Sequence, residues 1–536
     1  MPGVLAPVAL PPETSVFIAG GGPFGLMLAN ELGRRGVCAL VLDQKPGTAF
    51  NPQANATQAR TMEHYRRLGF ADEIRALGMP ADFPTDIAYF TRFTKHELAR
   101  FRLPSAREAK QLITTLSGSW SAAELPHRVA QKFVEQVLRR HAEKVASVHY
   151  GWRVTRFSVF DSHVEATAEP ADGGRPVSIK ARYIVGADGP RSLVRQAMGW
   201  RYAGETGVAR DFFGGRMYAV YCRMPDFYRT TPHRPAWMNV TFNRERRAFM
   251  TAIDGKTEFA YHTQLKPGEE EGSLEMVYQG IGARLDLQVL STDTWTAGHT
   301  LVAERFQQGR VFIGGDAAHL FTPTGGLGYN TAVEDAVNLG WKLAAVLQGR
   351  ASPRLLESYE PERRPLAVRN TSYARRFAES LGNFEPAPEI EDDTPQGEAA
   401  RRKAGEYLEA HGRAEFNIPG ITFGGRYDGS PAIIGDGTAP PPEAANSYTP
   451  SACPGGRPPH AWLEDGRSLY DLFGFEWTLL CLGSEAPPAP ADVKVVRAPV
   501  RDLYEADFAL IRPDQIVAWR GNDAASALDA LRRLRG

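Results

Sequence analysis

The sequence predicts an α/β chain with an antiparallel sheet inserted into it and a small α/β unit at its C-terminal end. Three observations lead there. A short apolar, β-branched run, Ser15–Ala19, feeds a Gly20-x-Gly22-x-x-Gly25 turn and then a helix of small residues. Between about Phe212 and Leu301 alternating strand-like runs replace the α/β pattern. The α/β pattern returns at Val311–Gly315, and Pro-rich stretches precede a last unit of short strands.

The front of the chain reads as a βαβ unit. The first strand is followed by the Gly-rich turn, a helix ending near Gly36, and a second strand, Cys38–Leu42, that closes at Asp43. In a Rossmann-like unit the first glycine permits the tight turn and the second lets backbone approach a pyrophosphate. The third allows close helix–strand packing, and the helix N-terminus supplies N–H donors. Phe24 lies inside this turn, and Asp43 is placed to accept hydrogen bonds from an adenosine ribose. The motif alone does not separate NAD from FAD.

Further along, helices are expected near Thr61–Leu77 and Val129–Lys144, and a strand at Tyr183–Gly186 leads into Ala187-Asp188-Gly189. The inserted sheet comprises Met217–Met224, Trp237–Phe242, Ala248–Ile253 and Glu258–Leu265, with Asp254-Gly255 as a hairpin signal. A Gly-rich loop after Gly315 opens a helix expected to start near Asn330 and to end before Gly349. Residues 384–397 and 435–459 read as linkers, and strands at 477–481, 493–496 and on both sides of Pro513-Asp514 form the last unit.

Composition narrows the function classes. The chain has 536 residues, and Lys+Arg and Asp+Glu both total 62, so the net charge is zero. That argues against a nucleic-acid binder relying on counterion release. No apolar run reaches about 18 residues, which argues against a membrane span. Residues 1–15 read as a disordered leader without signal-peptide layout. The four cysteines (Cys38, Cys222, Cys453, Cys481) are scattered, so a cytoplasmic setting is expected rather than a disulfide framework.

Two more motifs distinguish the cofactors. One is Tyr183-Ile-Val-Gly-Ala-Asp188-Gly-Pro-Arg-Ser-Leu-Val-Arg195; the other runs from Val311 through Gly-Gly-Asp316-Ala-Ala-His319 and Pro323-Thr-Gly-Gly326-Leu-Gly328-Tyr-Asn330 to Asp335 and Asn338. Here the chain resembles the class A FAD-dependent aromatic monooxygenases, the family of p-hydroxybenzoate and phenol hydroxylases that includes aromatic polyketide hydroxylases. The resemblance spans roughly residues 14–380. It implies an FAD-binding domain in three parts (14–85, 121–200 and 301–380, the last with long helices) and a substrate domain in two (86–120 and 201–300). A linker region (381–459) and a thioredoxin-like C-terminal domain (460–536) complete it. That last domain lacks C-x-x-C, so a structural or interface role is expected of it.

The resemblance implies non-covalently bound FAD. It places Asp43 on the adenosine ribose, Gln131 by the diphosphate and ribityl chain, and Val154 with its backbone against the adenine. It places Asp188 where flavin and nicotinamide approach one another, and Asp316 on the ribityl hydroxyls. Other readings stay open: Gln131 as a solvated helix face, and Asp188 as a cap on the turn to Ser192. Arg195 reads as a structural or diphosphate-side partner rather than a catalytic group, and a metal held by Asp316 and His319 would have too few ligands. The loop Pro323–Gly328, with Gly326 and Asn330, offers backbone N–H groups and a helix dipole to the flavin edge that becomes negative on reduction. One departure is the stretch Pro52-Gln53-Ala54, where many relatives carry an arginine that helps hold the diphosphate.

No second Gly-x-Gly-x-x-Gly occurs, which fits NAD(P)H as a transient co-substrate and argues against a two-dinucleotide disulfide reductase. The implied reaction is hydroxylation by O₂ of a phenolic or polycyclic, polyketide-like aromatic through a flavin C4a-hydroperoxide. A Baeyer–Villiger or ring-rearranging oxygenase and a non-catalytic flavin-binding protein stay open; a flavin halogenase would want a Trp-x-Trp motif. Candidate catalytic side chains come from the inserted sheet: Tyr218, Tyr261 and His262, the last as a phenol-facing base or as an ordinary sheet histidine. Strand alternation means that about half of the sheet's polar and aromatic residues must face away from any pocket. A monomer or homodimer is expected.

Overall fold

The computed structural model describes residues 10–206, 212–483 and 486–536. The leader expected over residues 1–15 ends sooner, because Glu13–Ser15 already belong to the first strand, Glu13–Ala19; residues 1–9 lie outside the described ones.

Five parallel strands form the heart of the first sheet. Strand Glu13–Ala19 lies between Ala39–Asp43 and Val177–Gly186, with Ser147–Tyr150 and Val311–Ile313 beyond them. The apolar run Val16–Ala19 is fully buried because helices cover the sheet, as parallel strands require. Helix Pro23–Gly33 packs against Gln131–Ala142 and against the 21-residue helix Leu327–Leu347. An antiparallel ribbon, Trp152–Val159 with Val164–Pro170, extends from Val177–Gly186.

The inserted sheet has seven strands, in the spatial order 288–296, 216–223, 258–264, 247–252, 238–242, 87–90, 97–101. Among the described residues of this sheet, only Met238–Phe242 and Ile87–Phe90 run parallel. The Asp254-Gly255 hairpin forms as its sequence dictates: Asp254 Oδ1 accepts from the backbone N–H groups of Lys256, Thr257 and Glu258, and Gly255 has φ +67°. Helix Leu274–Ile281 covers one face of this sheet.

Three boundaries differ from the sequence reading. The pattern at 61–77 splits into helices Ala59–Arg67 and Ala71–Arg75, because Gly69 (φ +77°) ends the first. The helix expected near Asn330 starts at Leu327. The region 381–459 carries the 22-residue helix Pro395–Phe416, which packs on strand Glu97–Phe101. Its polar surface and flanking prolines conceal a buried stripe of Ala404, Leu408 and Phe416. The C-terminal unit is a four-stranded mixed sheet, in the order 494–497, 478–481, 508–511, 517–521, backed by helix Ala524–Arg535. Among the described residues no helix is long and apolar enough to cross a membrane.

Candidate active site: a dinucleotide crevice facing an aromatic sheet

All the glycine and aspartate motifs leave the carboxyl ends of the parallel strands, where open α/β sheets bind their ligands. The Gly20 turn follows the first strand, Asp43 ends the second, Ala187-Asp188 follows Val177–Gly186, and Gly314–Asp316 follows Val311–Ile313. Backbone hydrogen bonds stitch these ends together: Ala187 N donates to Ala19 O at 2.7 Å, and Gly314 N to Gly186 O at 3.1 Å.

Gly20 has φ +116°, and a Cβ there would lie 2.1 Å from the Ala187 carbonyl oxygen. Gly25 is as crowded, with the Gly20 oxygen 2.0 Å from an added Cβ. At Gly22, by contrast, nothing lies within 4 Å. The first and third glycines thus serve packing, and the second opens the space a diphosphate needs at a helix N-terminus begun by Pro23. Phe24 turns inward, its ring where a Cβ on Gly314 would be, 2.3 Å away, so the first turn is keyed to the Asp316 loop. Asp43 Oδ2 accepts from Gly21 N at 2.8 Å, and Tyr150 OH donates to Gly21 O at 3.0 Å.

Asp188 Oδ2 accepts from Val194 N at 3.1 Å, capping helix Leu193–Ala197, while Oδ1 is buried without a partner and desolvation raises the carboxyl pKa. Arg195 is structural. It donates to Ala317 O and Pro190 O, each at 3.1 Å, and stacks 3.8 Å over Tyr202, whose hydroxyl donates to the Asp316 carbonyl. Arg195 and Tyr202 therefore lock the Asp188 and Asp316 loops together, and Tyr202 carried no motif by which the sequence could reveal it. Asp316 is an exposed residue at the strand end, and desolvation by the surrounding protein raises its carboxyl pKa. His319 turns away from it, to Asp335 Oδ2 at 2.7 Å, and Arg363 holds the other oxygen of Asp335 at 2.8 Å.

Gln131 begins its helix, with its N–H on Ala54 O at 2.7 Å and its Nε2 on Glu135 at 2.6 Å; Glu135 also accepts from Ala49 N. Val154 sits at a β-bulge, where the ladder to the neighbouring strand skips Thr155. Gln53 is exposed, and Arg60 points away to Glu63 and to the backbone carbonyls of Asp514 and Gln515.

The later glycine loop is held from three sides. Gly325 and Gly326 have φ +63° and +65°, and Gly326 caps helix Leu327–Leu347. Gly325 N donates to Glu415 Oε1 at 2.8 Å, from the helix that the linker reading missed. Asn330 Nδ2 donates to Ala56 O at 2.8 Å and to Gly326 O at 2.5 Å, while its Oδ1 accepts from Gln58 N at 2.8 Å. Its side chain is thus a brace rather than a free cofactor ligand. Pro323 is exposed, and Gly328 packs near Phe321. The free N–H groups of the first helical turn leave this loop able to meet a negative flavin edge.

Strand pairing decides which sheet residues face the crevice. Tyr221 pairs with Ala260 and Ser291, and Ala219 and Phe249 pair with His262, so these side chains share one face. That face meets the dinucleotide domain: Lys132 Nζ donates to Tyr221 OH at 2.8 Å, and Ser291 Oγ to Asn51 Oδ1 at 2.6 Å. His262 lies on it, stacked on Phe249 with 4.6 Å between ring centroids, and accepts at Nδ1 from Trp295 Nε1–H at 3.3 Å. Tyr218 and Tyr261 point the other way, beneath helix Leu274–Ile281. The Tyr218 ring fills the space beside Gly272, and Tyr261 OH donates to Met276 O at 2.7 Å. Of the three candidate catalytic side chains, only His262 is on the crevice side. Burial lowers its pKa to about 4, so it is neutral near pH 7.

Residues 13–374 match the FAD binding domain family, and residues 451–536 match the C-terminal domain of aromatic-ring hydroxylases. Aklavinone 12-hydroxylase RdmE of Streptomyces purpurascens is 30% identical, covering 98% of each chain. A putative polyketide hydroxylase of Streptomyces halstedii is 27% identical over 97% of this chain and 95% of the relative. Among solved structures, RebC with bound 7-carboxy-K252c superposes with a TM-score of 0.87 at 33% identity, covering 98% of this chain and all of that one. The same protein is also known with reduced flavin. The open Gly22 turn, the strand-end carboxylates and the braced glycine loop fit FAD, with NAD(P)H as its reductant. The chain belongs to the FAD-dependent aromatic-ring hydroxylase family, as a flavoprotein monooxygenase with the family's C-terminal domain.

Proposed function

We propose that this enzyme hydroxylates a phenolic or polycyclic, polyketide-like aromatic, consuming NAD(P)H and O₂. The observation that carries the reading is the aromatic face of the inserted sheet, His262, Phe249 and Trp295, on the side that meets the dinucleotide domain. Planar rings suit a planar substrate, and edge and stacked contacts hold it in place at small entropic cost. RdmE, named a hydroxylase of aklavinone, and RebC, bound to 7-carboxy-K252c, support an aromatic of more than one ring.

When bound, reduced FAD supplies the activation of O₂ that an aromatic ring does not achieve unaided. The chain's own work is positioning. The Asn330 brace and the Glu415–Gly325 hydrogen bond hold the loop whose N–H groups favour a negative flavin edge. Asp43 orders the front turn, and Arg195 with Tyr202 fixes the Asp316 loop.

His262 cannot serve as a ready base where its neutral form already accepts from Trp295; with Nδ1 an acceptor, the ring proton sits on Nε2. It is a hydrogen-bond donor to a substrate oxygen. The test is NAD(P)H oxidation by the holoenzyme across a panel of phenols and aromatic polyketides, with product mass and NMR. Stimulated oxidation and a product one oxygen heavier with its ring skeleton intact supports the reading. Ring cleavage, or expansion to a lactone, overturns hydroxylation.

A further inference from the structure

Arg128 is buried, 6% exposed, on the two-residue strand His127–Arg128 that pairs with Ala56–Thr57. This places it beside the flavin loop, because a Cβ on Gly326 would lie 2.7 Å from the Ala56 Cβ, and the Ala56 carbonyl accepts from Asn330. Its guanidinium lies over two rings, 4.4 Å from the Trp237 centroid and 5.8 Å from that of Phe416. These come from the inserted sheet and from the helix that carries Glu415. Nη1 is buried with no hydrogen-bond partner.

Other buried arginines show what this chain does with such a group. Arg363 has Asp335 and Glu334, Arg457 has Glu63, Arg512 has Glu362 and Asp514, and Arg195 has two backbone carbonyls. Arg128 has no acid or carbonyl partner among the described residues. The acid that acts on it electrostatically, Glu415, has one oxygen on Gly325 N and the other 2.8 Å from His411 Nε2. Burial lowers the Arg128 pKa to about 10 despite the opposing pull of Glu415. The two rings compensate in part, but a desolvated guanidinium still favours a planar anion that can fill its fork.

We propose that Arg128 receives a carboxylate carried on the aromatic substrate. The proposal rests on the hydroxylase reading and narrows its substrate class to aromatic acids. A neutral phenol would leave the guanidinium unpaired on closing the site, so the preference for an acid comes as much from that penalty as from the bond formed.

The test is equilibrium binding of three probes to the holoenzyme, by tryptophan and flavin fluorescence: a hydroxynaphthoate, its carboxamide and the parent naphthol. The wild type is expected to favour the acid over the amide by about tenfold or more. Arg128→Met is expected to reduce that ratio to about one, and Arg128→Lys to keep part of it. FAD content and melting temperature of Arg128→Met are expected to be unchanged or improved, since the variant removes an unpaired buried charge. An acid-to-amide ratio that Arg128→Met leaves unchanged, or a wild type with no preference for the acid, overturns the proposal. A lower melting temperature in Arg128→Met with the ratio intact shows a structural arginine, and also overturns it. Hydroxylation of neutral aromatics without acid preference would sink Arg128 but not the hydroxylase reading. Acid preference with no aromatic stimulating NAD(P)H oxidation would do the reverse.

Discussion

Trp295 Nε1–H donates to His262 Nδ1 at 3.3 Å, and this bond fixes the chemistry of the one candidate catalytic side chain that faces the dinucleotide domain. Indole can only donate, so the imidazole must accept at Nδ1 and carry its proton at Nε2. With its pKa depressed to about 4, His262 favours the unprotonated fold. The unfolded chain binds the proton more tightly, so the His262 contribution is complete above about pH 6.5 and is lost as pH falls toward about 4. NMR of ¹⁵N-labelled histidine should show one neutral Nε2–H tautomer between pH 6 and 8. Trp295→Phe should free Nδ1 and admit the second tautomer.

The three glycines of the front turn should separate in their effects. Gly22→Ala meets open space and is expected to fold with stability within about 1 kcal/mol of wild type, yet to bind FAD at least about tenfold more weakly. Gly20→Ala meets the Ala187 carbonyl at 2.1 Å with φ +116° and should destabilise the fold itself. Thermal melts with and without added FAD distinguish the two.

Asn330→Ala removes two hydrogen bonds between the glycine loop and the Ala56–Gln58 segment, and a third within the loop, to Gly326 O. Buried donors and acceptors left unmade should cost about 2–3 kcal/mol. The glycine loop should loosen with them, read as faster amide exchange at 325–330 than elsewhere in that helix.

The C-terminal unit is joined to the dinucleotide domain through buried charge. Glu362 holds Arg512 through both oxygens and Lys342 at 2.6 Å, and Glu63 holds Arg457. Glu362→Ala strands Lys342 and leaves Arg512 with Asp514 alone, and should cost about 3–5 kcal/mol. These neighbours depress both carboxyls, Glu63 to about 2 and Glu362 further. Their contribution is therefore present above about pH 4.5 and is lost as pH falls below it. Acid unfolding of wild type and Glu362→Ala, followed by near-ultraviolet circular dichroism, measures the difference.

The dinucleotide crevice was legible in the sequence because its determinants are local. A glycine with φ +116° after a buried strand, and a carboxylate at the end of the next, leave their mark within some thirty residues. The inserted sheet was legible as strands, but not as faces. Tyr218 and His262 lie on adjacent strands with side chains of opposite direction, and only the register, with Ala219 opposite His262, decides which meets the flavin domain. Helix Pro395–Phe416 was hidden by its charged surface, and with it went Glu415, the partner of Gly325. Tyr202 and Arg128 carried no signal, since their roles depend on neighbours more than a hundred residues away.

The most direct test of the account is the origin of the oxygen in the product. Holoenzyme turning over an aromatic with NAD(P)H under ¹⁸O₂ should place one heavy atom on the substrate ring and none when the label is in water. Consumption of NAD(P)H that yields only hydrogen peroxide with every aromatic offered would contradict it.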